Sequence, residues 1–141
     1  MNKKHQRVFT RSVAALTLLL AIGSSRAALA ASAVAFDRET SIYAYVHSAQ
    51  SEAEARARAL DGCHRRNGRD CQVIASCNGG GYGAIAMRRL PGRPIEAIGV
   101  ACGVSDGDQA LQLAAQECNK FAISNRCGRP TVGWHDPVRG Y

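Results

Sequence analysis

Close metal-ligand pairs are missing from this 141-residue sequence. No cysteine stands in a C-x-x-C pair and no histidine in an H-x-x-x-H pair. The spacing on which small zinc sites are built therefore does not occur, and neither a metal nor another cofactor is expected. Long apolar runs are missing as well. The most apolar stretch, residues 13–22, stops well short of the roughly 18 residues that cross a bilayer, so no stable membrane anchor is expected. No cysteine precedes Cys63, which leaves no site for lipid attachment at a processed N-terminal cysteine. Lysine is scarce: beyond Lys3 and Lys4 only Lys120 occurs, and the rest of the positive charge is arginine.

What residues 1–30 do contain reads as an export signal. Lys3, Lys4, Arg7 and Arg11 make a basic start, residues 13–22 an apolar centre, and Ala28-Leu29-Ala30 the small-residue pattern that a signal peptidase reads. The cut is expected after Ala30, with Ala33 and Ala35 as the alternatives. The segment removed holds five basic residues, the fifth being Arg26, and no acidic one. The 18 basic and 11 acidic residues of the whole chain thus become 13 and 11, and the net charge falls from +7 to +2. So near a balance, charge gives no ground for a nucleic-acid partner. Residues 31–141 suit one domain with a modest core. They hold all six cysteines, and an even count in an exported chain reads as a disulfide framework. A periplasmic or secreted location follows.

Taken in order, Ala33-Val34-Ala35-Phe36-Asp37 is a short apolar strand, and Asp37-Arg38-Glu39-Thr40-Ser41 is a polar turn. Residues 42–47 then alternate, with Ile42, Ala44 and Val46 on one face and Tyr43, Tyr45 and His47 on the other. Ser51 and Glu54 have the spacing of a capping box. Ala55, Ala59 and Cys63 recur every four residues and give the following helix a narrow face that can lie close on a sheet. After a basic loop, Cys71 opens a strand that Cys77 closes. The run Asn78-Gly79-Gly80-Gly81-Tyr82-Gly83 reads as a flexible joint, since a phosphate-binding loop needs a helix and a Lys-Ser/Thr pair to follow, and a strand follows here.

Beyond the joint the grammar repeats. Ala84-Ile85-Ala86-Met87-Arg88 matches the first strand at an offset of 51, and Ala110, Ala114 and Cys118 match Ala55, Ala59 and Cys63 at an offset of 55. Asp106 and Gln109 stand where Ser51 and Glu54 stood, Cys127 answers Cys71, and residues 131–134 form the last strand. The expected fold is α+β: two tandem strand-strand-helix-strand repeats, residues 33–77 and 84–134, that share one core, with a short tail at 135–141. Six cysteines allow fifteen pairings. If the two copies share a local bridge, Cys63 pairs with Cys71 and Cys118 with Cys127, which leaves Cys77 and Cys102 for each other.

An alanine-spaced helix ending in cysteine, a polar loop to a second cysteine and a Gly-Ala-Ile-Ala strand, all within a duplicated unit, resemble the bacterial secreted family catalogued as domain of unknown function number 4189. The resemblance runs from Ala33 to Cys127. It implies an exported α+β domain and brings no catalytic residues with it. Members of that family often carry a cysteine after the final strand, where this chain has Gly133 and Trp134 and carries Cys102 instead.

No coherent catalytic set emerges. Cys63 and His64 are adjacent, yet consecutive helix residues point about 100° apart, and a bridged cysteine has no thiolate to offer. Asp37, Glu39, Asp106 and Asp108 are the carboxylates available for hydrolysis of a cell-wall glycan. Asp37 and Glu39 fall in a turn, which favours Asp for its backbone hydrogen bonds, and Asp106 reads as a helix cap. Arginine is the informative surplus. Arg65, Arg66 and Arg69 form one cluster and Arg88, Arg89 and Arg93 another at a hairpin tip. Each suits bidentate contact with an acidic partner, and each also has a local reading, as complement to a helix C-terminus or as a blunted turn. Trp134 is either a plug over a small core or, with Tyr141 and Arg139, an exposed contact surface. The leading expectation is a non-catalytic module, of the inhibitor or immunity type, that binds a protein with an acidic surface in the envelope or outside the cell. The alternative is an envelope hydrolase acting on peptidoglycan or another polymer, dependent on one carboxylate or His47.

Overall fold

A computed structural model describes residues 30–124 and 126–136; the expected export signal except Ala30, and Arg139 and Tyr141 of the tail, lie outside the described residues. The first copy consists of β1 (Ala31–Asp37), β2 (Ile42–Ala49), α1 (Glu52–Arg65) and β3 (Gln72–Asn78). The second consists of β4 (Gly81–Arg89), β5 (Ile95–Val104), α2 (Gly107–Asn119) and β6 (Val132–Asp136). Each copy makes its own three-stranded antiparallel sheet with its first strand in the middle, in the orders β2-β1-β3 and β5-β4-β6.

Both helices start where their capping residues place them. The Ser51 hydroxyl accepts the Glu54 N–H at 3.1 Å, and the Asp106 carboxylate accepts the Gln109 N–H at 2.8 Å. The glutamate of the capping box reaches back to the Gln50 N–H at 3.0 Å, one residue earlier than the usual partner. The buried residues of the helices are Ala55, Ala59 and Cys63 in α1 and Ala110, Ala114 and Cys118 in α2. With side chains this small, α1 beds directly on Ala33, Ala35 and Ala44 and α2 on Ala84, Ala86 and Ala97.

The opposite faces of the two sheets meet each other. Val34 and Ile85, equivalent residues of the two copies, are fully buried there with Trp134, and Tyr43, Met87, Ile98, Val100 and Val132 pack around them. The order of layers is therefore helix, sheet, sheet, helix. β1 has a helix on one side and a sheet on the other, which explains why it is buried along its whole length instead of alternating with solvent. Tyr43, on the face of β2 turned away from α1, packs between the sheets, whereas Tyr45 is exposed at the edge and stacks on Trp134 at a centroid distance of 5.7 Å.

Three disulfides hold this arrangement: Cys63–Cys71 and Cys118–Cys127 within the copies, and Cys77–Cys102 from β3 to β5 across the two sheets. The opposite edge, where β2 faces β6, is closed without a bond between sulfurs. There Trp134 lies on Tyr45, and buried Asp136 accepts hydrogen bonds from the Ser48 backbone N–H and, at 3.1 Å, the Ser48 hydroxyl. Trp134 can lie so flat because Gly83 is its neighbour across the strand pair; a Cβ at Gly83 would come within 2.1 Å of the indole. Ser48 and Gly103 occupy equivalent bulges, with φ of 56° and 70°, a conformation that glycine adopts freely and serine at a cost.

Two expectations about connections change. The glycine run is no flexible joint, because β3 extends to Asn78 and β4 begins at Gly81. Only Gly79 and Gly80 link the copies. The last strand runs on to Asp136, two residues further than the expected end, because its pairing with β4 continues through Tyr82–His135 and Gly81–Asp136.

Candidate functional site

The antiparallel register places the β1–β2 turn, the loop after α1 and the β4–β5 tip at one end of the molecule, where the Ile95 N–H donates to the Ser41 hydroxyl at 2.6 Å. Asp37 organises this end. Its carboxylate is wholly buried at the end of β1 and accepts four backbone N–H groups: Glu39 at 2.9 Å and Thr40 at 3.2 Å from its own turn, and Arg69 at 2.6 Å and Asp70 at 3.1 Å from the loop after α1. Burial opposes ionisation. The adjacent Thr40 hydroxyl and the amides of Arg69, Asp70 and Thr40 together outweigh it and hold the carboxyl well below the usual carboxylate range. The Thr40 hydroxyl is itself buried without a well-formed hydrogen bond. The loop carrying Arg66 and Arg69 is thus pinned twice, by this carboxylate and by the Cys63–Cys71 bridge.

Beside this loop, α1 and the outer edge of β2 bound a cleft of about 540 Å³. Ala44, Tyr45 and Val46 line it from the strand, and Arg58, Asp61, Gly62, Arg65 and Arg66 from the helix and its end. Within α1, Arg58 pairs with Glu54 at 3.2 Å and Arg65 pairs with Asp61, both in exposed positions. Arg66 donates to the Tyr43 carbonyl at 3.1 Å. A second groove, of about 360 Å³, opens on the other side between β5, the end of α2 and β3; Phe36, Ile74, Ile98, Val100 and Phe121 make it largely apolar.

The structure gathers some of the expected contact residues and disperses others. Arg65 and Arg66 share the cleft, and they are joined by Arg58, which a search for loop clusters passes over; its signal is helical spacing, seven and eight residues before the other two. Arg69 stays exposed on the pinned loop. Arg88 is no tip residue. It is half-buried in β4, where its guanidinium donates to Glu96 at 2.8 Å and to the Arg126 carbonyl at 2.6 Å. It therefore ties down the loop after α2, as the equivalent Asp37 does after α1, with the polarity reversed. Glu96 accepts the Ile123 N–H at 2.7 Å as well. This amide lowers its carboxyl below the ordinary value; burial opposes the shift and Arg88 adds to it. Arg89 and Arg93 are exposed on the β4–β5 tip and do not line the cleft. Trp134, only 8% exposed, is a core side chain and offers no contact surface, because β6 turns its indole between the sheets.

Ser48, His47 and Asp136 lie together, and their geometry distinguishes a clamp from a relay. His47 Nδ1 is 3.2 Å from the Ser48 hydroxyl and 3.6 Å from Asp136. A relay places nucleophile and carboxylate on opposite nitrogens of the ring, whereas here both face the same one, and the serine donates directly to the carboxylate. Asp106 is engaged as a cap and Asp37 as an anchor. Among the described residues no group of three or more His, Cys, Asp or Glu side chains could hold a metal ion, and no helix is long and apolar enough to cross a membrane.

Comparison with curated proteins and with solved structures found no match. The duplicated unit, from β1 through the second bridged loop, coincides with the part of the chain that matches a known family profile. That match covers residues 31–131, and the chain belongs to the family described as Domain of unknown function (DUF4189).

Proposed function

We propose that this chain is an exported, non-catalytic binding module, of the inhibitor or immunity type, that presents arginines to an acidic surface of a partner protein in the cell envelope or outside the cell. The observation that carries this reading is the double pinning of the arginine-bearing loop by Cys63–Cys71 and by the Asp37 carboxylate. A loop held in this way gives up little conformational freedom on binding, which is the condition for tight recognition by a small surface. Export is supported by the basic-apolar-small pattern of residues 1–30 and by three disulfides, which persist in oxidising compartments. Every cysteine is bridged, so none supplies a nucleophile.

The test is crosslinking of the tagged full-length chain in intact cells of its source, followed by mass spectrometry. One dominant partner protein is expected, lost when Arg65 and Arg66 are both changed to Glu and weakened as salt rises. Recovery of no crosslinked protein at any salt concentration would overturn the reading, as would hydrolysis of peptidoglycan by the purified chain.

A further inference from the structure

Resting on the binding function proposed above, we infer that the cleft between α1 and β2 takes an extended acidic segment of the partner, which adds to the free edge of β2 as a fourth strand of the first sheet.

Among the described residues β2 ends its sheet, with β1 hydrogen-bonded on one side and no strand on the other; β6 faces it from the second sheet, through Ser48 and Tyr45. An edge strand of this kind offers unpaired backbone donors and acceptors to an incoming chain. Arg66 already uses one of them: its guanidinium takes the Tyr43 carbonyl at 3.1 Å, so a donor from outside the sheet reaches this edge. The helix rises beside the same edge and forms the second wall of the cleft, so a strand laid along Ala44–Val46 runs beneath Arg58, Arg65 and Arg66.

Charge selects the occupant. Arg58, Arg65 and Arg66 line the cleft; Arg58 is paired with Glu54 and Arg65 with Asp61, both in exposed positions, and Arg66 has no carboxylate partner among the described residues, which leaves one positive charge in excess. Arg58 and Arg66 stand roughly 12 Å apart along the helix, close to the spacing of about 13 Å between side chains four residues apart on one face of a strand. A segment with Glu or Asp at such positions meets both.

The duplication provides an internal control. The second copy builds the same helix, with the same three buried positions, yet places Leu113, Lys120 and Phe121 where the first places Arg58, Arg65 and Arg66. The last turn of α2 contains no basic residue. α2 has Lys120 at its C-cap, so a positive charge at the helix end accounts for the Arg65 position, but the second copy builds the same helix without a basic residue at the positions of Arg58 and Arg66.

The experiment uses the mature chain with its three bridges intact and a fluorescent probe peptide of about eight residues, alternating glutamate and valine, read by anisotropy. Binding is expected, together with movement of the Tyr43–Val46 amide resonances. It should weaken roughly tenfold or more in the Arg58→Glu/Arg66→Glu variant, hold in Arg129→Glu, and disappear when alternate peptide amides are N-methylated, since these supply the ladder hydrogen bonds. Thermal unfolding of each variant confirms that it is folded. Equal binding of a lysine–valine twin overturns the inference, as does tolerance of N-methylation. Absence of binding overturns it too, and leaves the arginines as guards of an exposed edge. A crosslinked partner whose contacts map outside the cleft sinks this inference and spares the binding function; peptide binding with no partner in the envelope does the reverse.

Discussion

The carboxylate of Asp37 joins two turns about thirty residues apart in the chain, and it does so best while ionised, when both oxygens are free to accept. Because its folded pKa is depressed, its contribution to stability is full above the ordinary aspartate value of 3.8 and is lost as the pH falls from there towards the lower folded value. Thermal melts from pH 6 downward, read by circular dichroism, should therefore show a fall in Tm that steepens below about pH 4. Asp37→Asn should start from a lower Tm at neutral pH, because an amide brings an N–H where an acceptor is needed, and its acid limb should be flatter. A variant with wild-type acid sensitivity would show that another group governs the acid response. Composition already favours Asp in such a turn, and the local pair of bonds to Glu39 and Thr40 could be read from it. The second pair, to Arg69 and Asp70, could not, because it depends on how far the loop after α1 folds back.

Between elements, the two edges of the sandwich are closed by different chemistry. β3 and β5 share the Cys77–Cys102 bridge, whereas β2 and β6 rely on Trp134 against Tyr45 and on Asp136 with Ser48. A bridge that spans 25 residues is worth about 3.5 kcal/mol by loop-closure entropy, against about 2.5 for one that spans 8. Urea unfolding of a Cys77→Ser/Cys102→Ser variant should lose about that larger amount, and more than a Cys63→Ser/Cys71→Ser variant loses through its bridge alone. A loss near zero would show that the unbridged edge suffices. The elements themselves were largely legible: capping residues marked both helix starts, alanines four apart marked the faces they bury, and the offsets of 51 and 55 exposed the duplication. The meeting of the two sheets was not. The alternation in residues 42–47 separates two faces without saying that the outer one is covered by another sheet, and for this reason Trp134 could be read as a surface residue. The cleft was half legible. Arg65 and Arg66 stand out as neighbours, but Arg58 joins them only once the helix is placed against the edge of β2.

Across the whole molecule, two copies of one unit face each other with Val34 on Ile85 at the centre, and their outer surfaces have diverged. One helix-strand cleft is lined by arginines; its counterpart in the second copy is lined by Phe121, Ile98 and Val100. A binding surface could therefore change in one copy while the other kept the shared core. The cross-sheet bridge has a separate consequence for covalent topology. Cys77 belongs to the first copy, Cys102 to the second, and the peptide chain passes between the copies only at Gly79 and Gly80. Opening that peptide link with an engineered protease site should yield a nicked protein that migrates as one species on a non-reducing gel and as two halves once reductant is added. Halves that part without reductant would mean that Cys77 and Cys102 are not joined. So long as they are, the two copies stay tethered at two points, and a single backbone cut leaves them one molecule.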